Sequence, residues 1–287
     1  MTTTEVLDVA GLPAAQIATA AVAALHTEAL LTPKPGLVDT HGNASHPDMT
    51  VDLLRASADA LFGPIRDCAI AARELPVGLA LRARLGAIGR AGEHRMSTVT
   101  GGVNTHRGAL WALGLLAAGA ATAHTVPGAA RVAAQIAYLP DVAAPERAIS
   151  HGQRTRLRHG TGGAVTEAAA GFPHVVHIGL PTLRAARLQG HDPDSAALDT
   201  LMAIMASLDD TCVVHRGGPS ALTYVHRCAA DVLDAGGCTT SSGRRLLERF
   251  CRDADRFGLS MGGSADLLAA TLFYDSLPWN GESTCRP

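Results

Sequence analysis

Thr100-Gly101-Gly102-Val103-Asn104-Thr105-His106-Arg107-Gly108 leads directly into Ala109–Ala123, the longest apolar run of the 287-residue chain. Two glycines in a row reach positive φ without strain, and the first amides of a following helix have no partner inside it. The stretch therefore predicts a polar loop that opens a buried helix, with Asn104 and Thr105 as cap types. His106 shares a face with Leu110 and Leu113 at helical spacing and should point inward. The plainer reading stands beside this one: a loop end followed by a hydrogen-bonded core histidine.

The same device recurs. Gly162-Gly163 precedes the alanine-rich segment around Glu167, Gly217-Gly218 precedes Pro219, and Gly262-Gly263 precedes Ser264-Ala265-Asp266. Four glycine pairs at expected helix starts, beside Arg107, Arg216 and several carboxylates, predict a basin of helix N-termini suited to a polyphosphate.

Around this frame the apolar spacing is helical almost throughout. Ile17, Ala21, Ala24 and Leu25 form a stripe in a helix over 13–31, with Glu28 on the same face; a carboxylate aimed inward requires a partner. Thr32-Pro33-Lys34-Pro35-Gly36 stops that helix and begins a rigid loop carrying Lys34, Asp39, His41, Asn43, His46 and Asp48. Helical patterns follow over 49–74, with Gly63-Pro64 as the break, and over 76–93, 126–145, 164–171 and 183–189. Ser195–Thr211 reads as a helix with Asp209-Asp210 at its C-terminal end, where the dipole disfavours acids, so the pair calls for a cation; Mg²⁺ suits one or two carboxylates plus phosphate oxygens. Further helices are expected from His215 to Asp234, from Ser242 to Phe257, and from Leu267 to Tyr274 with Ser264 as cap. Val175–Ile178 is the best strand candidate, too isolated to build a sheet. The expected fold is all-α: a single compact multi-helix domain over 1–287 with a central apolar helix, its ends 1–12 and 278–287 peripheral.

Composition excludes several classes. A formal net charge of −2 gives no general attraction to nucleic acid or acidic membrane, and 3% aromatic residues supply few stacking platforms for bases. The apolar run is short for a membrane span. Six cysteines without a CxxC pair, and an N-terminus lacking the layout of a secretion signal, point to a cytoplasmic protein with reduced thiols. Lys34 is the only lysine among 24 basic residues, which singles it out.

Taken together, the ordered blocks Leu31-Thr32-Pro33-Lys34-Pro35-Gly36-Leu37-Val38-Asp39, Thr100–Gly108, Glu167 with Gly171-Phe172-Pro173, Asp210-Thr211, Arg216-Gly217-Gly218 and Gly262–Leu268 resemble the triphosphoribosyl-dephospho-CoA synthases over roughly Ala23 to Phe273. Those enzymes make the prosthetic-group precursor of citrate lyase and malonate decarboxylase. The resemblance implies an all-helical enzyme that couples ATP with 3′-dephospho-CoA and releases adenine. The chain departs from the family pattern at Arg107, where lysine is common, at His159, where tyrosine is common, and at Val165, where arginine is common. Cys212 after Asp210-Thr211 suggests the malonate decarboxylase branch.

On that reading the triphosphate cradle is Gly101-Gly102, Asn104, Thr105, Gly217-Gly218 and Gly262-Gly263-Ser264, with Lys34, Arg107 and Arg216. Asp210 and Asp266 hold Mg²⁺, with Glu28 as a third partner. Asp39 or Glu167 is the base for the attacking hydroxyl, and His106 is an acid or a phosphate donor. A basic 151–160 segment is either a solvated face or an anion-contacting lid. A homodimer is compatible with this composition. Two other readings share these features: an Mg²⁺-dependent helical hydrolase of ADP-ribosyl-type N-glycosides, and a nucleotide-binding scaffold without activity.

Overall fold

The computed structural model describes residues 9–43, 45–145 and 162–280. They form an all-α structure, and no strand occurs among the described residues. The basic 151–160 segment, His159 included, lies outside them.

A short 3-10 turn, Val9–Gly11, leads into α1 (Ala14–Leu30). Then come α2 (Val51–Ala60), α3 (Phe62–Glu74), α4 (Leu79–Val99), α5 (Arg107–Ala120) and α6 (Val126–Tyr138). The second half holds α7 (Gly163–Ala169), a π-helical turn (His174–Gly179) continuing into α8 (Leu180–Leu188), and α9 (Pro193–Met205). It ends with α10 (Thr211–Asp234), α11 (Ser241–Arg256) and α12 (Gly262–Ser276).

The apolar run becomes α5, buried at nearly every position from Ala109 to Ala120, which packs on α3, α4, α6 and α12. Small residues permit this crowding: a Cβ on Gly119 would stand 2.3 Å from the Ala129 carbonyl oxygen, so α5 and α6 meet almost backbone to backbone. Large side chains fill the remaining gaps, among them Leu113, Leu116, Phe273 and Tyr274, each fully buried aliphatic one contributing about 1.5–3 kcal/mol. One apolar cluster runs from Val9 to Trp279. Among the described residues near the two ends, Val9 and Leu12 are buried, and so is Trp279, whose indole N–H donates to the Tyr274 carbonyl. No helix among the described residues is long and apolar enough to cross a membrane.

Five local expectations are corrected. The 49–74 helix breaks at Leu61, before Gly63-Pro64, because proline fits the first turn of α3. The helix over 76–93 instead runs on to Val99. Gly101-Gly102 then terminates α4 rather than opening α5: both glycines take positive φ, and the Gly102 amide reaches back to the Ser97 carbonyl at 2.8 Å, the usual way a helix end is sealed. The Val175–Ile178 strand candidate is the π-helical turn, held by neighbours on α8, α9 and α12 that override the β-branched preference. Finally, α10 starts at Thr211 and kinks at Gly218, φ 73°, before Pro219, so the helix expected from His215 begins a turn earlier.

Candidate active site

Glu28 ends α1 on its buried face, as its spacing requires, and Lys34 supplies the partner. The ammonium donates to Glu28 Oε1 at 2.7 Å and to the Glu28 carbonyl at 2.5 Å, with lysine and glutamate only 3% and 5% exposed. The proline-flanked loop makes this possible by folding straight back over the helix end that it terminates. Asp39 fixes the fold-back: its two oxygens accept the amides of Lys34 and His41, at 2.9 and 2.8 Å.

Asp210 is buried, and it caps α10 rather than ending α9. Oδ1 accepts the Cys212 amide at 2.9 Å. Oδ2 accepts both the amide and the hydroxyl of Ser264, at 2.9 and 3.1 Å. The chain leaves α9 at Met205 and turns through 206–210, so the dipole argument reverses: a carboxylate at an N-terminus is favoured without any cation. Ser264 is consequently not the cap of α12, whose N-cap position is Met261; it stands in the first turn and binds across to α10. Burial raises the Asp210 carboxyl above its ordinary value of 3.8, and the hydrogen bonds from Ser264, Cys212 and Gly263 pull it back down.

Asp266 lies two residues further along α12 and meets the start of α5, where the Ala109 amide favours its charged form. The residue keeps partial exposure although protein surrounds the carboxyl itself. Burial, then Asp210, then Glu28 push it well above 3.8. Among the described residues no side chain donates to it.

The glycines explain how the carboxylates fit. A Cβ on Gly108 would stand 1.9 Å from Asp266 Oδ2, and one on Gly263 2.9 Å from Asp210 Oδ1. Gly262 abuts the Cys212 thiol, and Gly163 abuts the Thr211 methyl. Four helix N-termini, those of α5, α7, α10 and α12, thus meet around Asp210 and Asp266. At Gly108 and Gly263 the missing side chain makes room for the protein's own acids.

Other expected members of the cradle lie apart from this point. Gly101 and Gly102 are exposed at the end of α4, with Asn104 exposed beyond them. Thr105 hydrogen-bonds Ser57 at 2.6 Å. Gly217 packs on Leu259 and Ala221, while Gly218 makes the kink. Arg107 turns outward to Glu93 at 2.9 Å. Arg216 donates to the Ser45 and Gly258 carbonyls and contacts His46 Nδ1, which ties down the polar loop. Glu167 has both oxygens on His174: Oε1 takes its amide at 2.9 Å and Oε2 meets Nδ1 at 2.8 Å.

His106 is the N-cap residue of α5 and 4% exposed, inward as expected. Nδ1 bonds the Ser57 hydroxyl at 2.8 Å, and buried Nε2 has no partner among the described residues. Burial, Lys34 and His26 lower its pKa to about 4, so the ring is neutral near pH 7 and suits a hydrogen bond better than proton delivery.

Sequence reasoning missed Ser57, His174 and His226, which carry no motif and take their importance from what the fold sets beside them. Among the described residues no three His, Cys, Asp or Glu side chains gather closely enough to hold a metal ion, so Glu28, Asp210 and Asp266 are not a ready ligand set. An open groove lined by Val77, Gly78, Arg131, Tyr138 and Leu139 has no acidic group in its lining.

The described helices thus form a bundle in which several helix starts converge on Asp210 and Asp266. Residues 14–284 match the family described as ATP:dephospho-CoA triphosphoribosyl transferase, and the chain belongs to that family of transferases. It is 48% identical to the probable 2-(5''-triphosphoribosyl)-3'-dephosphocoenzyme-A synthase of Pseudomonas fluorescens Pf-5 and 49% identical to that of Stutzerimonas stutzeri, over 92% of each chain. The synthase of Klebsiella pneumoniae is 45% identical, over 90% of this chain and 93% of its own. No solved structure matches the chain.

Proposed function

We propose that this chain transfers the triphosphoribosyl group of ATP to the ribose 2′ oxygen of 3′-dephospho-CoA, releasing adenine, and that the product is the prosthetic-group precursor for malonate decarboxylase. Family membership supports the reaction, and Cys212 following Asp210-Thr211 supports that branch. The observation that carries the location is Asp266, a partly exposed residue whose carboxyl has no side-chain donor among the described residues, at the meeting point of four helix N-termini.

The N-glycosidic bond at C1′ breaks as positive charge builds on the ribose. Two carboxylates nearby, Asp210 and Asp266, stabilise that charge more strongly in this enclosed site than they would in water. Lys34, held against Glu28, gives the triphosphate a fixed cation. His106 Nε2 supplies a further hydrogen bond from a neutral ring. Asp39 and Glu167, considered as bases, spend both oxygens on protein donors, an arrangement that suits anchoring.

Glu28, Asp210 and Asp266 outnumber Lys34, and this excess of buried negative charge is compatible with Mg²⁺ arriving on the nucleotide. Asp266 would hold it together with triphosphate oxygens, Asp210 standing behind. Bound there, the ion would supply charge neutralisation for the triphosphate.

The test is to incubate the purified protein with ATP, Mg²⁺ and 3′-dephospho-CoA and to follow nucleobase and nucleotide by chromatography. Adenine should appear only with both substrates, and Asp266→Asn should lower the rate by well over tenfold, a change of ~1.4 kcal/mol or more in the barrier. ADP or AMP as product would overturn the reaction. Adenine formed equally well without dephospho-CoA would favour the hydrolase, and an Asp266→Asn rate within tenfold of wild type would remove Asp266 from the site.

A further inference from the structure

The corner between α9 and α10, residues 206–210, belongs to no helix, yet it delivers Asp210. A carbonyl that leaves a helix C-terminus has lost its intrahelical donor and needs another partner or water. Here the Asp210 amide donates to the Leu208 carbonyl at 2.8 Å, and imidazole reinforces it. His226, beyond the Gly218 kink of α10, meets the Leu208 carbonyl through Nε2 at 2.9 Å. His174 stands near the same corner, where the Ser207 carbonyl and the Asp209 carboxylate both favour its protonated ring.

His174 is itself held firmly. Glu167 takes its amide and Nδ1, which turns the other ring nitrogen toward the corner. Just before it the chain passes through Gly171, φ 83°, and Phe172, φ 56° and buried. A buried phenylalanine in the left-handed region is strained and persists only where surrounding contacts dictate it. The π-helical turn that His174 opens is a second departure from regular backbone at the same place. Both departures aim one ring at the corner.

We infer that His174, oriented by Glu167, and His226 are positioning residues: together they clamp the Ser207–Asp210 corner so that Asp210 meets Cys212 and Ser264 and sets Asp266 over the substrate. The inference rests on the role given above to the Asp210–Asp266 pair.

Glutamine reproduces the reach of imidazole Nε2, and asparagine reproduces only that of Nδ1. His174→Gln and His226→Gln should keep kcat within about threefold of wild type, whereas His174→Asn and His226→Asn should lower it by tenfold or more, with KM for ATP within about twofold. Thermal midpoints measured on the same samples separate this from general loosening. Equal kcat for the Asn and Gln variants overturns the inference, as does a loss of thermal stability with kcat per folded molecule unchanged. If the Asn variants fail to fold, wild-type kcat in both Gln variants together with a wild-type rate for the conservative swap Asp210→Glu overturns it, because precise aim of that carboxylate would then be unnecessary; a tenfold or greater loss in Asp210→Glu supports it. Asp210→Asn separates the two levels: activity within tenfold of wild type there would refute the reading of Asp210, whatever the histidine variants do.

Discussion

His106 has a neutral ring at the head of α5, with Ser57 on one nitrogen and no described partner on the other. Its pKa is about 4 in the fold against 6.5 for a free histidine, so the folded chain binds fewer protons there than the unfolded one. Lowering the pH through the interval from 6.5 to 4 therefore protonates the unfolded form first and costs stability, up to about 3 kcal/mol for this one group. Thermal midpoints of wild type and His106→Asn recorded across that interval should converge as the pH falls, the wild type losing its advantage. A constant gap between the two would show that the ring titrates normally. Inward placement of His106 and Glu28 was legible in the sequence because helical spacing alone determines which face a residue occupies. The partner of Glu28 was not, since nothing in the spacing says that Lys34 folds back over the helix end.

At the scale of the element, what matters is which end of a helix a motif occupies. Gly108→Ala adds one methyl on a helix where alanine is the better helix former, and on an open surface it would be neutral or stabilising. Here that methyl would stand 1.9 Å from Asp266 Oδ2 and must displace the carboxylate. The variant should fold, with helical circular dichroism close to wild type, and lose at least tenfold in adenine release. Wild-type activity would show that the contact between α5 and α12 has no bearing on the reaction. Helix existence was readable nearly everywhere, boundaries less so, and the errors share a cause. Gly-Gly serves equally to seal one helix or to open the next: Gly101-Gly102 does the first and Gly262-Gly263 the second. Asp210 likewise reads as the end of α9 or the cap of α10, and only the non-helical corner at 206–210 decides between them. A short β-branched run such as Val175–Ile178 carries no period long enough to distinguish a strand from a tight helix.

For the molecule as a whole, the apolar cluster joins helices from both halves of the chain, from Val9 to Trp279. The 1–287 chain is proposed to act as one domain on this ground. Heating should give one calorimetric transition, with loss of tertiary and secondary circular dichroism coinciding; two resolved transitions would show separately stable units. The class of fold followed from composition and period, since apolar stripes recur at helical spacing along most of the sequence. The meeting of four helix starts was suggested by repeated glycine pairs, although only some of those pairs take part. Which ones do depends on long-range packing, such as Gly163 against Thr211 and Gly262 against Cys212, and no local pattern encodes that.

One carboxylate, Asp210, fastens the opening turn of α10 to that of α12. Prising those two ends apart would strand an acid and several amides in a poorly hydrated place, so the pair moves as a single strut. A rigid joint of this kind would present the opening turns of both helices to any bound molecule as one fixed edge.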